Sequence, residues 1–250
     1  MHASSPGSPR SCNRLRAYAV HVYTASGGVL ALLATAEICR TDPRPRWAVL
    51  WLLLAVLVDA SDGPLARRWE VARHTPAIDG RKIDDIVDYL TYTFVPLLLV
   101  WRLGWVPEPR LAWVAPALVA SLFAFANLAA KDERGAWFLG FPSYWNVVAF
   151  YAGIWVAHGG APHAVGVLLL ALAVLSVLPV RFVYPNLAPR PWRAVLWLGG
   201  LGWCALLLAM LPDYPRVPAW LALLSLAYPA LYLALSVPLA RDQASPGLAA

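Results

Sequence analysis

The stretch that decides the fold reads Asp59-Ala-Ser-Asp62-Gly63-Pro-Leu-Ala66-Arg67, and a second stretch follows it as Gly80-Arg-Lys-Ile-Asp84-Asp-Ile-Val-Asp88. Both adjoin long apolar runs. Residues three or four apart share one face of a helix. The spacing therefore predicts that Asp59 and Asp62 point together from one helix, and that Asp84 and Asp88 point together from a second. If these helices are antiparallel neighbours, the four carboxylates form one acidic cluster.

The composition places this cluster in a membrane protein. The 250 residues are 60% hydrophobic and only 14% charged, which departs from the usage of soluble domains. Apolar runs near the roughly 20 residues that cross a hydrocarbon core recur along the whole chain. We predict an all-α fold, a polytopic membrane helix bundle of about eight transmembrane helices at residues 17–38, 46–65, 82–101, 111–130, 142–157, 164–181, 194–211 and 218–239.

The charge pattern predicts the topology. Most of the 20 Lys and Arg residues fall on the side of the membrane that holds the N-terminus, and positive loops are typical of the cytoplasmic face. We therefore expect a single transmembrane domain at residues 17–239, with cytoplasmic tails at residues 1–16 and 240–250. The first tail is rich in Ser, Pro and Gly and is expected to be disordered. Because the arginines lie in short loops, no nucleic-acid partner is expected.

Carboxylates beside a bilayer need a cation, an ion-pair partner or water. Hard divalent ions prefer oxygen ligands and bridge carboxylates to substrate phosphates, so four aspartates fit one or two such ions and a phosphoryl transfer. Gly63 and Ala66 lack bulk and let a ligand approach the backbone. Arg67 offers a positive fork for phosphate. Gly80 lies at a predicted helix start, where free N–H groups favour an anion.

Other interpretations of the aspartates remain open. They can cap helices or pair with Arg67, Arg68 and Arg81, and we assign Asp79 and Asp85 to capping or loop roles. A cation transporter can also line its path with intramembrane carboxylates. A transporter, however, has no need for small residues and an arginine at these fixed offsets, so phosphoryl transfer is favoured.

The two stretches together resemble the signature of the CDP-alcohol phosphotransferase family. The resemblance rests on eight residues at fixed offsets, namely Asp59, Asp62, Gly63, Ala66, Arg67, Gly80, Asp84 and Asp88. Members of that family are helical membrane enzymes with a six-helix core, usually dimers, that transfer a group from a CDP-linked donor to an alcohol and release CMP. The resemblance therefore implies a six-helix core and a homodimer for this chain.

The resemblance also implies roles for the motif residues. Asp59, Asp62, Asp84 and Asp88 would hold two divalent cations, Mn²⁺ or Mg²⁺, and Asp88 would also accept the proton of the acceptor hydroxyl. The pocket for the CDP-linked donor would be lined by Asp59, Gly63, Ala66, Arg67 and Gly80. The active site is expected to face the cytoplasm from the inner (cytoplasmic) membrane of a bacterium.

One departure from the family pattern indicates the acceptor. Residues 68–79 separate Arg67 from Gly80, about four more than is common in the family. This longer spacing is similar to the bacterial branch that condenses CDP-diacylglycerol with free choline, and so are residues 19–27, 87–96, 140–146 and 179–185. Choline is therefore the expected acceptor. Serine, inositol and glycerol phosphate remain the alternatives, and membrane lipids are the expected surroundings.

A quaternary ammonium group has no N–H to donate, so aromatic faces and carboxylates recognise it. Tyr144, Trp145 and Tyr184 are the predicted choline contacts, although rings near span ends often anchor at the interface instead. For Tyr92, a further candidate, ordinary helix packing is favoured. Arg181 either contacts the donor diphosphate or extends to phospholipid.

Two other residues near these stretches are predicted to be structural. His21 is expected to pack inside the bundle. Pro96 is expected to distort the third helix next to the acidic site.

Overall fold

The computed structural model describes residues 9–127, 131–132, 137–183, 188 and 190–242. The described chain is mostly helical, which confirms the predicted all-α class. Each predicted span overlaps helix over most of its described length. The helices are α1 (Pro9–Ile38), α2 (Pro45–Arg68), α3 (Val71–His74), α4 (Gly80–Asp88), α5 (Val95–Arg102), α6 (Arg110–Ala126), α7 (Trp145–Ala157), α8 (Pro162–Val177), α9 (Trp192–Met210), α10 (Ala219–Ser225) and α11 (Ala227–Asp242).

The third predicted span contains a π-helical turn. Residues Tyr89–Phe94 form this turn and join α4 directly to α5. Pro96 follows within two residues. Its nitrogen carries no hydrogen, so it cannot donate to the carbonyl of Tyr92 four residues earlier, and its ring crowds that carbonyl. A local change of hydrogen-bond register resolves this conflict. The predicted distortion at Pro96 is therefore a π turn that begins directly after Asp88.

Two of the predicted spans end or break where proline interrupts the helix. The sixth was predicted to reach residue 181, but α8 ends at Val177 and Leu178 is extended. Pro179 disfavours the helical conformation for the residue before it. The last span divides between α10 and α11 at Leu226, where Pro229 cannot donate to the carbonyl of Ser225.

A small antiparallel sheet, which contacts α11, was not predicted. Its strands are β1 (Lys131–Asp132), β2 (Trp137–Leu139) and β3 (Arg181–Val183), in the order β1-β2-β3. Leu139 pairs with Arg181 in the register of β2 and β3. Arg181 thus lies at the start of a strand rather than at the end of the sixth helix. At the other end of the chain, α1 begins at Pro9, so residues 9–16 are helical although they were predicted to be a disordered tail.

The long first helix organises the packing. It lies against α2 along much of its length and also contacts α3, α4 and α5. The main apolar core joins α1, α2 and α5 to α6, α7 and α8. Many large apolar side chains are instead exposed on the outside of the bundle, such as Phe123, Leu198 and Leu223.

This arrangement is that of a multi-pass membrane protein. Within the described residues, four helices are long and apolar enough to cross a membrane: Asn13–Ile38, Pro45–Arg68, Trp192–Asp213 and Ala219–Ser236. Three shorter helices, α6 to α8, are also apolar. The shortest of them, α7, has six of its 13 residues buried among its neighbours.

Candidate active site

Three of the four predicted carboxylates meet. Asp59 comes from α2, and Asp84 and Asp88 come from successive turns of α4. One carboxylate oxygen from each lies within 4.8 Å of the others, and all three side chains are half-buried. This convergence follows from the helical spacing of the motif. Three carboxylates this close repel one another, and an oxygen-only set of this kind suits a hard divalent cation.

The fourth carboxylate has a different environment. Asp62 is only 6% exposed, and its side chain hydrogen-bonds to the side chain of Thr24 on α1 and to the backbone N–H of Gly63. It lies outside the group of three. Asp59 and Asp62, although three residues apart on one helix, therefore face different neighbours. We expected them to point together, and Thr24 had not been singled out as a site residue.

Tyr92 supports the carboxylate cluster directly. Its hydroxyl donates a hydrogen bond of 2.7 Å to Oδ2 of Asp59, and the carboxylates of Asp59 and Asp88 are both close enough to interact with the phenol electrostatically. Tyr92 follows Asp88 by four residues, and this spacing was a signal in the sequence that could have placed it on the acidic face.

Arg67 lies one helical turn after Gly63, and its guanidinium folds back over that glycine. A Cβ at Gly63 would lie 3.4 Å from Nη1 of Arg67. Among the residues that the structure describes, no carboxylate forms an ion pair with this guanidinium. Ala66 is half-buried and packs against a small apolar cluster formed by Ala17, Val20 and Val71.

The start of α4 differs from the anion site that was expected there. Asp79 caps the helix, and its Oδ1 accepts from the backbone N–H groups of Arg81 and Lys82 at 3.1 and 3.3 Å. This confirms the capping role assigned to Asp79. The chain's own carboxylate therefore uses N–H groups that would otherwise bind phosphate.

Gly80 instead allows α1 to approach closely. A Cβ at Gly80 would lie 2.9 Å from the ring of His21. His21 is buried, as predicted, and its Nε2 lies 2.9 Å from Oγ1 of Thr75. Thr75 Oγ1 donates to the carbonyl of Val71, so His21 is the donor in this pair. The long segment between α2 and α4 is thereby attached to α1.

Comparison with known proteins identifies the family. No protein-family model matches the chain. Three similar proteins are each named phosphatidylcholine synthase. The one from Pseudomonas aeruginosa is 41% identical over 174 residues, 69% of this chain and 71% of its own length. That of Agrobacterium fabrum is 34% identical and covers 88% of both chains, and that of Legionella pneumophila is 33% identical over 88% of this chain and 87% of its own. The chain belongs to the phosphatidylcholine synthase family.

Membership of the phosphatidylcholine synthase family directs attention to the aromatic side chains near the aspartates. Tyr144 immediately precedes α7 and is half-buried. Its ring lies near those of Tyr92, Phe141 and Tyr232. The preceding residue, Ser143, is buried with a φ of +57°, a conformation that non-glycine residues rarely adopt and that is often found at functional sites.

The other predicted choline contacts differ from Tyr144. Trp145 is 0% exposed, and its indole N–H donates to Oγ of Ser121 at 2.7 Å. This burial favours a packing role over a choline contact. Tyr184 lies outside the described residues. Arg181 is exposed on β3.

Proposed function

We propose that the chain transfers the phosphatidyl group of CDP-diacylglycerol to the hydroxyl of free choline and releases CMP, with the acidic cluster as its active site. The observation that carries this proposal is the convergence of Asp59, Asp84 and Asp88 in a member of the phosphatidylcholine synthase family. The sequence spacing that favoured choline as acceptor points to the same activity.

We propose two divalent cations, Mn²⁺ or Mg²⁺, as cofactors of this site. Asp59, Asp84 and Asp88 have the oxygen ligands and the proximity for one ion. Asp62, the fourth motif carboxylate, lies three residues later on α2 and would contribute to the second in place of its hydrogen bond to Thr24. When bound, the ions supply positive charge that offsets the negative charge of the donor diphosphate.

Asp88 is the proposed general base. It accepts the proton of the choline hydroxyl while that oxygen forms a bond to the phosphorus nearest the diacylglycerol. The bond from this phosphorus to the bridging oxygen of the diphosphate breaks, and CMP leaves with the bonding electrons. Arg67, whose guanidinium has no ion-pair partner among the described residues, lies on the same helix as Asp59 and is proposed to stabilise the charge of the diphosphate.

The remaining motif residues complete the proposed donor site. Gly63 and Ala66 are small and are proposed to let the donor approach the backbone of α2 beside Arg67. Gly80, whose missing side chain makes room for His21, remains a proposed neighbour of the donor. Arg181 is a further proposed contact for the diphosphate. Tyr144 and Tyr184 are proposed to contact choline.

The proposed location is the inner membrane of a bacterium, with the site facing the cytoplasm. The positive charge of the loops on that side supports this orientation, and free choline would reach the site from the cytoplasm. A homodimer, as is usual in enzymes with this motif, is the proposed assembly.

The decisive experiment supplies purified protein in detergent with CDP-diacylglycerol and labelled choline, and measures labelled phosphatidylcholine and CMP. Parallel reactions contain serine, inositol or glycerol phosphate in place of choline. We expect product with choline alone. Product with serine alone would overturn the assignment of choline and retain the transferase, whereas absence of CMP release with every acceptor would overturn the activity itself.

A further inference from the structure

Three half-buried tyrosines from distant parts of the chain meet next to the acidic cluster. Tyr92 comes from the π-helical turn, Tyr144 from the start of α7 and Tyr232 from α11. The ring centroids of Tyr92 and Tyr144 are 6.3 Å apart with planes inclined at 52°. Those of Tyr144 and Tyr232 are 6.4 Å apart with planes inclined at 69°. Tyr144 is therefore the middle member of three rings that are set at an angle to one another.

The hydroxyl groups of these rings are held by the protein. Tyr92 donates to Asp59, Tyr232 donates to the carbonyl of Val183 at 3.0 Å, and the Tyr144 and Tyr232 hydroxyls are joined by a hydrogen bond. These bonds hold each ring at its hydroxyl end and engage none of the ring faces. Fixed rings lose little conformational entropy when they bind a ligand.

The charge around the rings suits a cation. Each ring face carries the negative side of an aromatic quadrupole, and the hydroxyl of Tyr92 is bonded to Asp59. The Arg side chains that the structure places over aromatic rings lie at Tyr18 and Trp47. Within the described residues, no Lys or Arg side chain of the protein itself therefore lies over the ring of Tyr92, Tyr144 or Tyr232.

We infer that Tyr92, Tyr144 and Tyr232 form an aromatic cage that binds the quaternary ammonium group of the acceptor. This inference rests on the proposed use of choline, and it assigns Tyr92 and Tyr232 to substrate recognition beside Tyr144. Only two carbon atoms separate the hydroxyl of choline from its nitrogen. An acceptor whose hydroxyl reaches Asp88 therefore has its ammonium group close to Tyr92, the ring that is bonded to the neighbouring Asp59.

The competing explanation is that the three rings simply pack together. Packing and cation recognition make different demands on the ring. Packing requires its shape, whereas recognition of a quaternary ammonium requires the negative charge of its face. Kinetics with altered rings can therefore separate the two explanations.

The test measures the KM for choline and the KM for CDP-diacylglycerol in Tyr144→Leu and Tyr232→Leu, with Tyr232→Phe as the ring-preserving variant. Loss of one wall is expected to raise the choline KM about tenfold and to change the CDP-diacylglycerol KM less than twofold. The phenylalanine variant keeps the ring face but loses the bonds of the hydroxyl, so its choline KM should rise less than that of Tyr232→Leu. The matched control is Tyr228→Leu, one turn earlier on α11, where the hydroxyl bonds to the carbonyl of Leu196 instead. It should leave the choline KM unchanged.

A second measurement keeps the shape of the ring. Phenylalanines with increasing numbers of fluorine atoms are incorporated at position 144, which removes negative charge from the face and preserves packing. The choline KM should rise with each fluorine. A choline KM that stays constant across the fluorinated series would overturn the cage. If wild-type protein makes no phosphatidylcholine in the acceptor experiment, the proposed function fails instead, and the two failures are thus distinct.

Discussion

The hydroxyl of Tyr92 donates a 2.7 Å hydrogen bond to Oδ2 of Asp59. The phenol thus occupies one acceptor position of a carboxylate that the acidic cluster needs in a fixed orientation. Groups that hydrogen-bond to a metal ligand fix the orientation of that ligand. Their loss typically costs about 10- to 100-fold in metal affinity or activity.

We predict such a loss for Tyr92→Phe. The variant keeps the ring and removes the bond to Asp59, so the rate at saturating choline should fall about tenfold or more, and the Mn²⁺ or Mg²⁺ concentration for half-maximal rate should rise. The choline KM should stay near wild type because the face of the ring is intact. The control is Tyr151→Phe, which loses bonds to Ser225 and Trp203 in another part of the bundle and should retain its metal dependence.

Asp88→Asn should nearly abolish turnover. The amide cannot accept the acceptor proton, and a general base contributes roughly 10²- to 10⁴-fold to the rate. Thermal unfolding in detergent should stay close to wild type, because the substitution preserves the shape of the side chain. Asp85→Asn is the neighbouring control, and its activity should be largely retained. Substantial activity of Asp88→Asn with CDP-diacylglycerol and choline would show that another group is the base.

Removal of divalent ions should stop the reaction. Excess EDTA is expected to eliminate phosphatidylcholine formation because the carboxylates of Asp59, Asp84 and Asp88 then face the donor diphosphate with like charge. Adding Mn²⁺ or Mg²⁺ beyond the chelator should restore the rate, and Na⁺ should not. Undiminished activity in EDTA would contradict the proposed metal site.

Two adjacent glycines of α1 provide a matched pair for the packing of the site. A Cβ at Gly27 would overlap Cγ1 of Val87, the residue before Asp88, whereas a Cβ at Gly28 meets nothing within 4 Å. Overpacking of this kind costs about 1–3 kcal/mol. Gly27→Ala should therefore lower both the thermal stability and the activity, and Gly28→Ala should leave both unchanged or gain up to about 1 kcal/mol in stability from helix propensity. Equal effects in the two variants would mean that α1 and α4 do not pack as closely as the structure has them.

The sequence predicted the features that depend on local spacing. The apolar runs indicated the helices, and the intervals within α4 placed Asp84 and Asp88 on one face, where Asp59 reaches them. The capping role of Asp79 was equally local. Strand β3 was missed because Phe182 and Val183 continue the apolar pattern of α8, so that only Pro179 signalled the end of the helix.

What the sequence could not predict depends on how helices rotate against each other. Asp62 turns to Thr24 on α1 because of the way in which α1 and α2 pack. The approach of Tyr232 to Tyr144 depends on the placement of α11, which no interval in the sequence encodes. Tyr92 was predictable in part. Its spacing from Asp88 can be read from the sequence, but its hydrogen bond to Asp59 is known only from the folded structure.

The π-helical turn at Tyr89–Phe94 also sets the phase between the two halves of the third predicted span. Each residue of an α-helix advances the direction of the side chains by about 100°, and a π turn holds one residue more than the α-helical repeat accommodates. The half that carries Asp84 and Asp88 is thereby rotated relative to the half that packs into the core through Leu97, Leu99 and Val100. Deleting one residue of the turn would preserve the helix and the hydropathy of the chain. It would, however, restore a continuous α-helical register between the two halves. Either the carboxylates or the core residues would then face the wrong neighbours.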